Sequence, residues 1–327
     1  MINKAHHGKA DQITPVDADV VRSGYEDVFA AIDACWLSYA RFMGRLPFEN
    51  AVTEAAKAPA EPNVVLFSAK PISIIGRLAA HENGSPLTST EDAVDKFEFA
   101  SLGDVSLFTL RAPTLGLVAF PGQTLIVSLT AEVRNGDLAV VQTPGRTYAR
   151  RIGIDTADLS RISLESMPST NSRVPQTHFV QRSGATLNKI IGVLFDETVP
   201  TKSQDEAIPV NTSAILSQVV AVAVVVGDSA FPVAPDKCHV LLGQAPDISQ
   251  LAGRIIAVGA RRDVHSSEYF AYLKRLGKQM PGNSSVYYLE NVGLIGEGEF
   301  VQFPGADDEV AGISIVDDMW KVHGTIF

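Results

Sequence analysis

One pattern occurs twice in this chain, and that repetition limits its fold more than any other feature. Tyr148-Ala149-Arg150-Arg151-Ile152-Gly153 returns as Tyr272-Leu273-Lys274-Arg275-Leu276-Gly277. Farther on, Lys189-Ile190-Ile191-Gly192-Val193-Leu194-Phe195 returns as Lys321-Val322-His323-Gly324-Thr325-Ile326-Phe327. Leu164-Glu165-Ser166 and Leu289-Glu290-Asn291 lie between these blocks, in the same order. Matched blocks in one order mark a duplicated unit, each copy built from the same elements. The copies disagree at one chemically important position, where Arg150 in the first stands against Lys274 in the second.

From Val64 onward, short β-branched and aliphatic runs are broken by Gly, Pro, Asn and Asp, the texture of antiparallel β structure. Predicted strands include 106–111, 115–120, 125–129, 138–142, 190–195, 218–226, 269–276 and 320–327. Ahead of them, Val20, Val21, Tyr25, Val28, Phe29, Ile32 and Trp36 recur at helical spacing. The expected fold is therefore mainly β: two tandem antiparallel β domains, 63–204 and 205–327, preceded by a helical N-terminal segment, 1–62. The polar, proline-containing stretch 199–211 reads as the connecting linker. Gly145-Arg146 matches Gly253-Arg254, which leaves the first copy short by roughly a hairpin before Tyr148.

Charge and cysteine usage narrow the function classes. A net charge of -10 argues against a surface made to grip phosphates. In the N-terminal segment acidic residues outnumber basic ones, so DNA contact is compatible with its length but not supported by its charge. Cys35 and Cys238 stand far apart with no His/Cys set at ligand spacing. Neither a disulfide framework nor a metal site nor a cofactor is expected, and the reading is cytoplasmic. The first dozen residues are polar, without a secretory leader. The apolar run 219–226 is far shorter than the ~20 residues of a spanning helix and reads as a buried strand.

Gly227-Asp228-Ser229-Ala230-Phe231-Pro232 follows that strand. A serine just past a strand end, beside a glycine, can sit on a tight turn with its hydroxyl exposed. The N–H groups of Asp228 and Ser229 could then form an oxyanion site. Strand alternation puts Tyr272, Lys274 and Leu276 on one face. Burial of a lysine favours its neutral amine, which can take a proton from a serine hydroxyl. Such a pair performs acyl transfer without histidine.

With those residues in view, the sequence resembles the LexA-like self-cleaving peptidases, which include LexA, the UmuD mutagenesis protein and the lambdoid phage repressors. Gly227-Asp228-Ser229 with Phe231-Pro232 and Pro235-Asp236 is similar to the family's nucleophile segment, and Tyr272-Leu273-Lys274-Arg275-Leu276 to its lysine strand. The resemblance implies Ser229 as nucleophile and Lys274 as general base. It covers most of 212–327 and, in degraded form, about 64–198. In the first copy it puts Ser128, ahead of Asn135-Gly136-Asp137-Leu138, at the nucleophile position and Arg150 at the base position. A guanidinium is not deprotonated in proteins, so that copy reads as catalytically dead. Ala80 and His81 lie in a region similar to the family's cleavage segment, with His81 in place of its glycine and Ala230 in place of a methionine.

The resemblance implies a regulator of a stress (SOS) or prophage transcriptional response, able to cut itself or a partner protein. Family members dimerise, so the chain is expected to form a homodimer or, through its two copies, an intramolecular pseudo-dimer. The alternative is a non-catalytic module in which both copies serve assembly and partner recognition. A signal-peptidase relative with the same dyad is disfavoured, because no membrane anchor is predicted.

Overall fold

The computed structural model describes residues 64–65, 70–79, 87, 90–154, 160–167, 176–195, 203–263, 265–266, 269–293, 298–304 and 310–327. The predicted helical segment 1–62 and the predicted cleavage residues Ala80 and His81 lie outside the described residues. Among those described, the chain is mainly β, with helix confined to short 3-10 turns.

Seventeen strands follow one another among the described residues. The first group is β1 (Ile72–Ala79), β2 (Lys96–Phe97), β3 (Val105–Leu110), β4 (Thr124–Ser128), β5 (Leu138–Thr143), β6 (Arg146–Ile154), β7 (Arg161–Glu165), β8 (Thr177–Gln181) and β9 (Thr186–Leu194). The second is β10 (Ala207–Val210), β11 (Ala221–Val226), β12 (His239–Gln244), β13 (Ile255–Arg261), β14 (Tyr269–Gln279), β15 (Val286–Asn291), β16 (Glu299–Gln302) and β17 (Ser314–Ile326). The predicted strand 115–120 is instead irregular: Leu115 makes an isolated parallel bridge with Met167 and a turn follows.

Pairing order repeats between the halves. In the first, the order runs β3-β4-β9-β5-β6-β7-β8. In the second it runs β11-β12-β17-β13-β14-β15-β16. Backbone hydrogen bonds fix the correspondence residue by residue. Gly136 N–H donates to Ile152 O (2.7 Å) and Ile152 N–H to Asp137 O (2.8 Å), just as Gly253 N–H donates to Leu276 O (2.7 Å) and Leu276 N–H to Arg254 O (2.9 Å). The structure thus aligns Gly136-Asp137 with Gly253-Arg254, correcting the match to Gly145-Arg146. Gly145 lies instead in the tight turn of the β5–β6 hairpin, which is shorter than β13–β14. The chain the first copy lacks comes from the hairpin tip.

The halves are not independent. β10, inside the segment expected to be a free linker, adds antiparallel to β3. β1, ahead of the first half, runs parallel to β11 of the second. The closing strands β9 and β17 pair antiparallel with Gly192 opposite Ile326, Val193 opposite Thr325 and Leu194 opposite Gly324. Phe195 N–H donates to His323 O and Phe327 N–H to Ile191 O, both at 2.8 Å. Each contact has its exchanged counterpart, the signature of an isologous interface about a local two-fold through Val193 and Thr325.

A buried cluster straddles this seam, holding Leu107, Ile126 and Leu194 of one half against Val222, Leu241 and Ile326 of the other. Burying six such side chains contributes on the order of 10 kcal/mol. Separating the halves would expose part of this cluster to water.

The seam needs glycine at both central positions. A Cβ on Gly324 would stand 2.3 Å from Val193 O, and one on Gly192 2.6 Å from Thr325 O. Both obstacles are backbone atoms that cannot swing away. Gly192→Ala and Gly324→Ala are each expected to destabilise the protein by ~1–3 kcal/mol in urea unfolding. Gly184→Ala, whose Cβ would meet nothing within 4 Å, should change the midpoint little.

Candidate functional site

β11 ends at Val226, and Gly227 turns the chain with φ +88°. The turn is tied back by Gly227 N–H donating to Asp236 Oδ1 at 2.8 Å and by Phe231 N–H donating to Asp228 O at 3.0 Å. Ala230, Val233 and Ala234 sink into the core beside Leu273, while Phe231 is left exposed. Ser229 is half-buried on this turn and Asp228 is exposed, so both predicted oxyanion donors lie on it.

Lys274 lies mid-strand on β14, where it faces Ile256 on one side and Asn291 on the other. Its side chain is only 9 % exposed. Tyr272 and Leu276, its neighbours on the same face, pack in a cluster with Ile256, Val258 and Leu289. The expectation that Lys274 occupies an apolar strand face is met. Its Nζ stands 5.7 Å from the centre of the Tyr272 ring and 3.8 Å from Glu299 Oε1 on β16. Burial, and secondarily the charge of Glu299, push the Tyr272 hydroxyl above its ordinary range, so it stays neutral.

Asn291 connects the two predicted residues. It stands opposite Lys274 across the β14–β15 ladder, and its Nδ2 donates to Ser229 O at 3.4 Å. Gly293 presses on the same carbonyl, since a Cβ there would stand 2.1 Å from Ser229 O. Neither Asn291 nor Gly293 was singled out from sequence, although Leu289-Glu290-Asn291 was one of the repeated blocks.

The first half is arranged differently. Ser128 ends β4, and its Oγ accepts from Ala131 N–H at 3.0 Å. The register runs Ser128, Lys189, Ala139, Arg150 across β4, β9, β5 and β6. At ~4.8 Å per strand step, Ser128 and Arg150 are roughly 14 Å apart. The structure does not bring them together. Thr114 occupies the place matching Ser229: Leu110 N–H donates to Gln123 O and Gly122 N–H to Leu110 O, as Val225 N–H donates to Cys238 O and Lys237 N–H to Val225 O. Thr114 follows Leu110 at the interval by which Ser229 follows Val225, with no gap. Gly122 (φ +95°) and Lys237 (φ +65°) even share the left-handed backbone, which a lysine rarely adopts. Thr114 Oγ1 is tied down, donating to Ala149 O at 2.7 Å.

Arg150 is likewise occupied. Its Nε donates to Glu206 Oε2 at 2.9 Å, its Nη2 to Glu206 Oε1 at 2.5 Å and its Nη1 to Gln176 O at 3.0 Å. Both members of the pair are 2 % exposed. Glu206 is held through its backbone too, donating to Thr147 O and accepting from Arg111 N–H. The predicted linker therefore threads between β6 and the end of β3, beside the Thr114 turn.

Cys238 is buried, and that burial, with help from Asp236, pushes its thiol up to about 12. It is an inert core residue rather than a nucleophile. Among the described residues no three His, Cys, Asp or Glu side chains are grouped to hold a metal, and no helix is long and apolar enough to cross a membrane. Compared with known protein-family models and with curated proteins, the chain matches none.

Removing one partner of a buried ion pair leaves the other uncompensated. Glu206→Ala should cost ~3–5 kcal/mol in urea unfolding. The double variant Arg150→Met, Glu206→Leu should recover part of that loss: neither member of the pair is then stranded, but Ala149 N–H and Arg146 still lose Glu206 as a partner.

Proposed function

We propose that the chain is a LexA-like Ser–Lys peptidase of the self-cleaving type, acting as a regulatory protein in a stress or prophage transcriptional response. Its second half carries the chemistry, and its first half is a structural copy. The observation that supports this most is the burial of Lys274 on a strand whose cross-strand neighbour, Asn291, holds the Ser229 backbone.

In this reading the neutral Lys274 amine takes the Ser229 hydroxyl proton, and Ser229 Oγ attacks the scissile carbonyl carbon. Backbone N–H groups of Asp228 and Ser229 stabilise the developing oxyanion. Lys274 then returns the proton to the leaving amine, and water hydrolyses the acyl-enzyme. Ala80 and His81 are the proposed substrate region. They directly follow Ala79, which is paired with Val226, the residue before the nucleophile turn. The seam between β9 and β17 supports an intramolecular pseudo-dimer.

A second reading, a non-catalytic interaction module, is favoured by one observation. The Thr114 and Arg150 positions are sealed by internal bonds, so half of the molecule already serves as scaffold alone.

Purified protein held at mildly alkaline pH, alone and with a cell extract, should yield one discrete cut by intact mass. Ser229→Ala and Lys274→Ala should each abolish it, by at least a hundredfold in rate, whereas Thr114→Ala should leave it in place. Equal persistence of wild type and Ser229→Ala would remove the peptidase reading and leave the interaction module.

A further inference from the structure

The halves also differ at the strand that precedes each closing strand. In the second half that strand, β16, is covered along its outer side. Val301 pairs with Ser314 and Gln302 with Ile315, in parallel, at the start of β17. In the first half β8 holds the same place beside β7. With Lys189 aligned on Lys321, β9 begins at the level of Asp318, so the part of β17 that covers β16 has no counterpart. The chain instead passes from β8 to β9 through the short 3-10 turn Arg182–Gly184. Among the described residues β8 pairs with β7 alone.

The phase of the β7–β8 ladder shows which backbone groups are left over. Gln176 O accepts from Ser166 N–H, and Ser160 O from Arg182 N–H, both at 2.8 Å. Bonded and unbonded pairs alternate along an antiparallel ladder, so His178 and Val180 bond inward to β7. Thr177 and Phe179 therefore turn both backbone groups outward, and Gln181 turns its N–H outward. The Gln181 carbonyl leads into the 3-10 turn. β8 contains no proline, lysine, acidic residue or bulge, the usual guards of a free edge. Phe179 is 62 % exposed, with the Arg161 guanidinium 5.0 Å from the centre of its ring. On the other face, Val180 packs with Ile162 and Leu164, and the His178 ring lies against Tyr148.

We propose that β8 is a self-association edge, onto which β8 of a second copy of this chain adds antiparallel about a two-fold through Phe179. The outward groups suit this register. The two Phe179 residues exchange both hydrogen bonds, and each Gln181 N–H meets the Thr177 carbonyl of the other copy. Side chains fall in matched rows, Phe179 facing Phe179 and His178 facing Val180, with no like charges opposed.

Charge also fits a second copy. On β7, Arg161 stands opposite Gln181 and Glu165 opposite Thr177. Each outer row of the joined sheet then runs Arg161, Gln181, and next Thr177 and Glu165 of the second copy. Opposite charges thus end every row, whereas a parallel arrangement would set Arg161 level with Arg161. The sheet of the first half continues from one copy into the other, and the two-fold closes the assembly. This edge belongs to the first half, so the inference does not rest on the peptidase reading. A contact this short falls in the weak, transient class.

Sedimentation velocity of the full-length protein from about 5 to about 500 μM should show monomer passing into dimer. Phe179→Pro removes the outward N–H at the two-fold without breaking a bond to β7, and Phe179→Lys sets like charges face to face. Each should weaken association about tenfold or more with far-UV circular dichroism unchanged. Disulfide trapping with oxidised glutathione, in a Cys35→Ser background that keeps the buried Cys238, reads the register. Cα atoms of a hydrogen-bonded antiparallel pair stand ~5.5 Å apart, within disulfide reach. Phe179→Cys should couple to itself. Thr177→Cys should couple to Gln181→Cys when the two are mixed, and neither to itself. A protein that stays monomeric throughout, a dimer unweakened by Phe179→Lys, or trapping in another register would overturn the proposal.

Discussion

The antiparallel pairing of β9 with β17 is the constraint on which the rest of the molecule depends. It joins the last strand of each half about a local two-fold, and the two glycines at its centre let the backbones approach without an intervening side chain. The buried cluster on either side belongs to both halves, so neither has a complete core without the other. β10 and β1 reinforce the arrangement, each covering the outer edge of a strand that would otherwise present unpaired backbone groups.

On this shared frame the two halves treat one position in opposite ways. In the first, the residue is an arginine, held by a buried carboxylate from the following segment and by the Gln176 carbonyl. In the second, the residue is a lysine on an apolar face, with the partly exposed Glu299 carboxylate 3.8 Å away. A permanent charge with a bidentate partner gives a fixed joint. The two copies thus differ at this position by arginine against lysine and by how closely a carboxylate approaches it.

Much of this was legible in the sequence. The Gly192 and Gly324 blocks marked a closing strand in each copy, though not that the two pair, and alternation around Lys274 put it on the buried face. Ser128 misled because it was placed by its spacing ahead of Asn135-Gly136-Asp137-Leu138, whereas the backbone bonding gives that place to Thr114, at the same interval from its strand as Ser229. Gly145-Arg146 misled for the converse reason, since two residues of matching type sit at a hairpin turn in one half and before a strand in the other. The pairing of β10 was hidden because Ala207–Val210 is short, contains Pro209 and lies among polar residues. Its strand character comes from the edge of β3 and the Glu206 ion pair, which are contacts distant in sequence. Asn291 and Glu299 owe their significance to register, which a linear reading does not supply.

The parallel pairing of β1 with β11 gives the molecule an unusual property. A peptide bond broken after Ala79 would not free the upstream fragment, because the ladder from Ser73 to Ala79 would still clasp it noncovalently to the far half. Scission and departure are therefore distinct events, since β1 also pairs with β2 and Val65 N–H donates to Val105 O, and the severed piece would leave only after all these contacts open.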